Sequence, residues 1–311
     1  MRIGRSAGVT DTGRRRLRNE DAFICEPPLF AVADGMGGAR AGEVAARLAA
    51  TALEEAGAET RGEPGVTAMI VEANRRIWER ALADPATAGM GTTVTAALVD
   101  SEQGSVAIGH VGDSRAYRLR NGILEQLTTD HSLVAELVSS GVLTPEEAER
   151  HPQRSAITRA LGTEPTVEVE VLTIAGRPGD LFLLCSDGLP VMLDDEQIAA
   201  ALVAVERDPA MAGEALVATA NEQGGEDNVT VVLFELVEGE APAVEPTRVE
   251  HVPAEKDSGS DHIRGQTPDR AASEADLRRH GAGSGGRVAA LALIVVVVVA
   301  GALALYWGIS R

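Results

Sequence analysis

The chain is expected to fold as an α+β protein, with two antiparallel β-sheets packed on each other and flanked by helix pairs. Three observations predict this. The elements run strand, two helices, mostly strands, two helices and a last strand, an order that places helix pairs outside a double sheet. Asn121-Gly122 is the strongest hairpin signal in the chain, so the sheet is at least partly antiparallel. Short, continuously apolar runs closed by turn residues suit strands buried on both faces, and LFAVA ahead of Asp34 is the clearest of them.

Taken in order, residues 3–10 form a first strand that leads into a basic turn over 13–19. The apolar run from Leu29 stops at Asp34, and Gly35, Gly37 and Gly38 let the backbone turn there and expose its carbonyls. Residues 42–57 and 64–83 carry apolar residues at helical spacing, with Pro64 suited to a first turn and Trp78 read as packing. Residues 91–99 alternate as a strand. Strands 106–111 and 116–119 flank a turn at Asp113, and 116–127 is a hairpin arm. Residues 131–161 change character, to short helices around Gly141 and Pro152. Thr144-Pro145-Glu146-Glu147 is a helix start, with Thr as cap, Pro in the first turn and Glu placed to close a capping box. Strands follow at 166–173 and Leu181–Cys185. Helices at 194–205 and 208–222 open on Asp caps, and Val229–Val237 ends the domain.

Four aspartates stand at strand ends: Asp34, Asp113, Asp187 and Asp227. One such residue is punctuation, a cap or a turn. Four suggest a convergent acidic cluster that repels itself unless a cation meets it. Carboxylates beside a bare carbonyl and water select Mg²⁺ or Mn²⁺ over softer metals. No His/Cys grouping has zinc spacing. The turn carrying Arg14, Arg15, Arg16 and Arg18 is either a solvated basic turn or an anion site, since guanidinium matches phosphate geometry.

Arg16-Leu17-Arg18-Asn19-Glu20-Asp21, Asp34-Gly35-Met36-Gly37-Gly38, Gly91-Thr92-Thr93 and Gly112-Asp113-Ser114-Arg115 occur in that order. His151-Pro152-Gln153-Arg154, Ser186-Asp187-Gly188 and Glu226-Asp227-Asn228 follow. Together they resemble the bacterial form of the metal-dependent PPM/PP2C serine/threonine protein phosphatases, over about residues 1–238. The resemblance implies the PP2C-like sandwich, two Mn²⁺ or Mg²⁺ ions with provision for a third, and hydrolysis of phosphoserine or phosphothreonine by a metal-activated water. It implies Asp34 as the bridging ligand, Gly35 as a carbonyl ligand, Asp187 and Asp227 on the second ion, and Asp113 with Asp187 at the third. Arg16 would bind the phosphoryl group. Glu20 and Asp21 would hold metal-bound waters, with Asn228 among the polar groups supporting the ligands. Residues 128–162 correspond to the family's flap beside the site. Two departures stand out. Met36 occupies a position where some members carry His, and Val191 follows Pro190 where relatives carry a further Asp. The expected consequence of the second is a lost hydrogen bond behind one metal.

The formal charge of −19 argues against non-specific nucleic-acid binding. Cys25 and Cys185 read as reduced core thiols of a cytosolic domain. No apolar run opens the chain, so no secretory leader is expected. Residues 239–287 are rich in Pro, Glu, Ser, Gly, Ala and Arg and read as a disordered linker. Residues 288–309 carry no charge and include five consecutive valines. At about 1.5 Å per residue that run crosses a bilayer core. Arg278, Arg279 and Arg287 precede it, which puts the N-terminal side in the cytoplasm. The expectation is a single-pass, tail-anchored protein of the cell membrane whose catalytic domain is cytoplasmic. Its partners would be phosphorylated proteins, among them Ser/Thr kinases and their substrates. The alternatives are a non-catalytic phosphoprotein-binding or scaffolding relative, which would need a lost ligand, and a phosphatase of small molecules.

Overall fold

A computed structural model describes residues 1–37, 41–57, 60–239 and 246–251. Gly38, the greater part of the expected linker and the apolar run 288–309 lie outside the described residues. Among the described residues no helix is long and apolar enough to cross a membrane. Met1–Glu255 forms one compact unit; the other, Lys256–Arg311, lies outside the described residues.

In chain order the elements are β1 (Arg2–Asp11), β2 (Ala22–Glu26), β3 (Leu29–Ala33), β4 (Gly35–Met36), α1 (Ala41–Gly57) and α2 (Gly62–Ala83). A single 3-10 turn at Pro85–Thr87 precedes β5 (Gly91–Thr92), β6 (Val94–Asp100), β7 (Ser105–Val111), β8 (Arg115–Arg120) and β9 (Ile123–Gln126). Then come α3 (Leu133–Ser139), α4 (Pro145–Glu149), β10 (Glu170–Ala175), β11 (Leu181–Cys185), α5 (Asp195–Ala204), α6 (Pro209–Glu222), β12 (Val229–Val237) and β13 (Thr247–His251).

Two sheets form the centre. One has the order β13-β1-β12-β11-β8-β9, the other β10-β7-β6-β3-β2. Every pairing in them is antiparallel except β13 on β1. Their facing sides share a core in which Phe30, Phe182 and Phe234 stack, with ring centroids 4.1 Å and 4.9 Å from Phe234. Cutting Phe234 back to Ala would cost about 3–5 kcal/mol by the usual large-to-small penalty. On the outside, the apolar stripes of α1 and α2 cover the five-stranded sheet. Those of α5 and α6 cover the six-stranded one. Four layers result, as the element order predicts.

Local signals hold up in detail. Asn121 and Gly122 take φ of 53° and 80°, the left-handed values a tight hairpin needs. Thr144 and Glu147 form the reciprocal capping box, and Asp194 forms a second one with Gln197. Asp208 accepts from two N–H groups of α6, ahead of Pro209.

Four differences have physical reasons. β2, not anticipated, is a short edge strand that pairs with β3 through the turn at Pro27-Pro28. Residues 91–99 are two strands rather than one, because Thr93 turns aside to bind the backbone of Asp34. The strand expected at 166–173 lies at Glu170–Ala175, since apolar residues continue through 175 and pairing with β7 selects the later stretch. Thr247–His251 falls inside the stretch expected to be a disordered linker, yet pairs with β1 in parallel. Thr247 and Val249 are β-branched, and Val249 packs on the core under α5 and α6.

Candidate active site

β3 is buried along its whole length and delivers Asp34 to an open cleft of roughly 310 Å³. The Asp34 backbone is held on both sides. Its N–H donates to Thr93 Oγ1 at 3.2 Å. Its carbonyl accepts from Thr93 N–H at 2.9 Å and from Thr92 Oγ1 at 2.8 Å. Gly35 follows because nothing larger fits: a Cβ there would lie 2.3 Å from the Gly42 carbonyl oxygen and 2.5 Å from that of Glu20.

The other three strand-end aspartates reach the same cleft. Asp113 comes from the β7–β8 turn, Asp187 from the end of β11 and Asp227 from the residue pair before β12. Gly188 is forced in the same sense, since a Cβ would sit 2.0 Å from the Asn228 carbonyl oxygen. The Asp113 turn is pinned by His131, which donates its N–H to the Gly112 carbonyl (2.7 Å) and accepts the Gly112 N–H at Nδ1 (3.1 Å). Behind Asp113, Arg115 holds Asp130 bidentately at 2.8 and 2.7 Å and reaches the Tyr117 hydroxyl at 3.0 Å.

Burial together with neighbouring negative charge favours the neutral forms of Asp34, Asp113 and Asp187. Burial, then Asp21, Asp187, Asp113 and Asp227, hold the Asp34 carboxyl well above the ordinary carboxylate range. Burial and then Asp187 push Asp113 up to about 7. Burial and then Asp227 push Asp187 up to about 6. Asp187 Oδ1 is buried without a hydrogen-bond partner. Among the described residues no three His, Cys, Asp or Glu side chains close on one point tightly enough to hold a metal unaided. The donors on offer are carboxylates in pairs, the Gly35 peptide and room for water. A hard divalent cation that keeps waters fits such a set.

The supporting residues are also in place. Asp21 lies beneath the ligands, and its Oδ2 accepts from Thr230 Oγ1 at 2.6 Å and Ser186 Oγ at 2.9 Å. Burial drives its carboxyl up to about 7 against those two hydrogen bonds. Glu20 lines the cleft, and its N–H donates to Asn228 Oδ1 at 2.8 Å. Asn228 Nδ2 donates to the carbonyls of Thr12 (2.9 Å) and Arg18 (2.8 Å). Asn228 is therefore a clamp on the basic turn, a role its motif position does not reveal. Arg16 lines the cleft and donates to Asp227 Oδ2 at 2.5 Å.

His110, His131 and His151 are all hydrogen-bonded. His110 Nδ1 meets Thr95 Oγ1 at 2.9 Å and its Nε2 meets the Thr129 carbonyl at 3.1 Å. His131 Nε2 meets Glu170 Oε2 at 3.2 Å, and His151 Nδ1 accepts from Gln153 N–H. Cys25 and Cys185 are both buried, and burial pushes the Cys185 thiol up to about 12. Met36 lines the cleft. Val191 does not; its side chain is outside the lining and its N–H donates to the Asp187 carbonyl at 3.0 Å. The turn after Asp187 therefore keeps a helical bond despite Pro190. From the 128–162 region, Ser155 and Ile157 form one wall.

The motifs include Thr92, Thr93, Arg115 and Ser186 without assigning them these roles, and sequence reasoning overlooked Thr230 and Asp130. Thr230 carries a usable signal, as a hydroxyl on an otherwise apolar strand two residues after Asn228.

The sequence profile of the family described as protein phosphatase 2C matches residues 12–221. The serine/threonine phosphatase stp of Listeria monocytogenes is 41% identical over 238 residues, 73% of this chain and 93% of the relative. A crystal structure of the Mycobacterium tuberculosis serine/threonine phosphatase PstP/Ppp superposes with a TM-score of 0.72 at 40% identity, over 76% of this chain and 100% of that one. The PstP catalytic domain solved with 2 manganese ions gives a TM-score of 0.70 at 38% identity, over 76% and 99% of the two chains. With strand-end acids, glycines and basic turn all converging on one cleft inside this double sheet, the chain belongs to the protein phosphatase 2C family.

Proposed function

We propose that this protein removes phosphate from phosphoserine and phosphothreonine in proteins, using manganese or magnesium, while tethered to a membrane. One observation carries the chemistry: Asp34, Gly35, Asp113, Asp187 and Asp227 share a cleft with Arg16. Asp34 and the Gly35 carbonyl would hold one cation, Asp34 with Asp187 and Asp227 the second, and Asp113 with Asp187 a third. Bound there, divalent cations supply an acidified water as nucleophile and positive charge for the phosphoryl oxygens.

The chain's own residues do the rest. Arg16 orients the phosphoryl group by charge-assisted hydrogen bonds. Glu20 and Asp21 orient water beside the ligands, Asp21 being fixed by the Ser186 and Thr230 hydroxyls. Asn228 keeps Arg16 in reach by holding both sides of its turn. Met36 offers no proton, so the leaving oxygen is served by solvent. Among the described residues that line the cleft none is a cysteine or a histidine, which favours direct attack by water over a covalent intermediate.

The proposal extends to location and partners. The uncharged run 288–309 would span the bilayer, with Arg278, Arg279 and Arg287 on its cytoplasmic side. Substrates would then be phosphoproteins at that surface, including Ser/Thr kinases that the enzyme opposes.

The test is turnover of a phosphothreonine peptide by Met1–Glu255 with Mn²⁺, with Mg²⁺ and with EDTA, beside Asp187→Asn. Metal-dependent turnover that collapses in the variant is expected. Folded protein inert under every metal would leave only a binding role. For the tether, the full chain should stay with membranes through an alkaline wash, whereas loss of residues 288–309 should release it.

A further inference from the structure

Of the basic turn, the proposed reaction uses Arg16 alone. Arg14, Arg15, Leu17 and Arg18 are exposed, Leu17 to 96%. Among the described residues, none of Arg14, Arg15 and Arg18 is in a close ion pair, though the Arg18 charge acts on the Glu20 carboxylate. Other arginines, among them Arg5, Arg75, Arg76, Arg115 and Arg120, are ion-paired, so these three side by side leave exposed positive charge on a chain of net charge −19. Three exposed guanidinium groups within two residues of the phosphoryl-binding position, of which only Arg18 feels a nearby carboxylate, that of Glu20, form a patch with affinity for anions.

The patch is built, not loose. Gly13 sits at φ 79°, where a Cβ would meet the Asp227 carbonyl oxygen at 2.1 Å. The N–H groups of Arg14 and Arg15 both donate to the Gly225 carbonyl, at 2.7 and 3.1 Å. Asn228 holds the carbonyls of Thr12 and Arg18. The turn is thus fastened to the same loop that carries Asp227. A backbone fixed before binding loses less freedom when an anion arrives.

We infer that residues 14–18 form a substrate-reading subsite. It selects phosphoproteins that carry a second anionic side chain beside the phosphoserine or phosphothreonine, either Asp or Glu or another phosphorylated residue. The inference rests on the protein phosphatase reading above. Two observations favour a polypeptide over a lipid surface. Arg16, in the same turn, lines the cleft, so whatever occupies the arginines lies next to the phosphoryl site. An extended chain advances about 3.4 Å per residue, which puts the second anion within roughly three residues of the first. Leu17, standing out among the arginines, offers an apolar contact to the residue between.

The test compares kcat/KM of the full chain on three phosphothreonine peptides. One has Ala on both flanks, one has Asp within three residues, and one has a second phosphothreonine there. Wild type should favour each anionic peptide over the Ala peptide by about fivefold or more, the scale of one or two exposed charge pairs. Arg14→Ala/Arg15→Ala should bring both ratios close to one. Each ratio is internal to one protein, so a partly folded variant cannot imitate the effect. Preference for the second phosphate alone would assign the subsite to doubly phosphorylated segments. Equal rates on all three peptides would overturn the inference and leave the phosphatase reading intact, whereas no hydrolysis of any peptide would remove both. Equal peptide rates, with vesicle binding by Met1–Glu255 (phosphatidylglycerol vesicles) that the same double variant loses, would reassign the arginines to a lipid surface.

Discussion

Arg16 and Asp227 are ion-paired at 2.5 Å, so the group proposed to receive the phosphoryl oxygens also touches a proposed metal ligand. The contact is partly exposed, and Asp187 and Asp34 add to the field that Arg16 feels. Arg16 and a cation therefore compete for the same carboxylate. A cation on Asp227 would loosen this hold and leave the guanidinium available to substrate.

Arg16→Ala should lower kcat/KM on a phosphopeptide by about a hundredfold, the usual effect of removing one charge-stabilising donor. It should not weaken metal binding. Calorimetric Mn²⁺ affinity should be equal or tighter, because a competing positive charge has gone. Weaker Mn²⁺ binding would show that Arg16 organises the metal site instead.

Asn228 carries three hydrogen bonds across 210 and 216 residues of chain to Arg18 and Thr12, and across 208 to Glu20. Asn228→Ala should cost about 2–3 kcal/mol, at roughly 1 kcal/mol per bond. Asn228→Asp should cost more, since it turns a carboxylate oxygen toward two carbonyls. Urea midpoints for both variants decide this, and an Asp variant as stable as wild type would refute the clamp.

Metal removal should invert the usual pH dependence of stability. Asp21 and Asp113 are raised to about 7 and Asp187 to about 6, so the folded, metal-free protein binds more protons than the unfolded chain between about pH 4 and 7. Their contribution is fully present below the ordinary carboxylate pKa and is lost as pH rises through 6 to 7. With EDTA the protein should be more stable at pH 5 than at pH 8, and Mn²⁺ should stabilise it most at pH 8. Thermal melts at the two pH values, with and without Mn²⁺, provide the check.

His110 acts with the opposite sign. Burial, then His131, lower its pKa to about 3, so the unfolded chain binds the proton first as pH falls below about 6.5. Its contribution is complete above 6.5 and falls by about 1.4 kcal/mol per pH unit, or about 2 kcal/mol by pH 5. The site carboxylates titrate in the same window, so the quantity to measure is the difference between wild type and His110→Asn from pH 7 to 5. A difference that does not change with pH would mean that His110 is not held neutral.

Most of the double sheet was legible because its signals are local. Leu29–Ala33 is apolar throughout, Asn121-Gly122 demands a left-handed turn, and Thr144 and Asp208 announce their helices. The four cleft aspartates were legible because strand-end Asp recurs. What stayed hidden depends on pairing between distant segments. Residues 166–171 alternate and 171–175 are mostly apolar, both compatible with a strand, so only β7 sets where β10 begins. The support under Asp21 comes from hydroxyls 165 and 209 residues away. Composition also hid β13, since the polar stretch around it looks like a tether from inside one chain segment.

That last strand has a consequence for solution behaviour. β13 occupies the outer side of β1, where the ten-residue strand Arg2–Asp11 would otherwise show a long row of open backbone donors and acceptors. A polypeptide stopped after Val237 would keep the whole catalytic constellation and lose that cover. It should hydrolyse substrate normally when dilute and self-associate edge to edge when concentrated, whereas one continued through His251 should stay monodisperse.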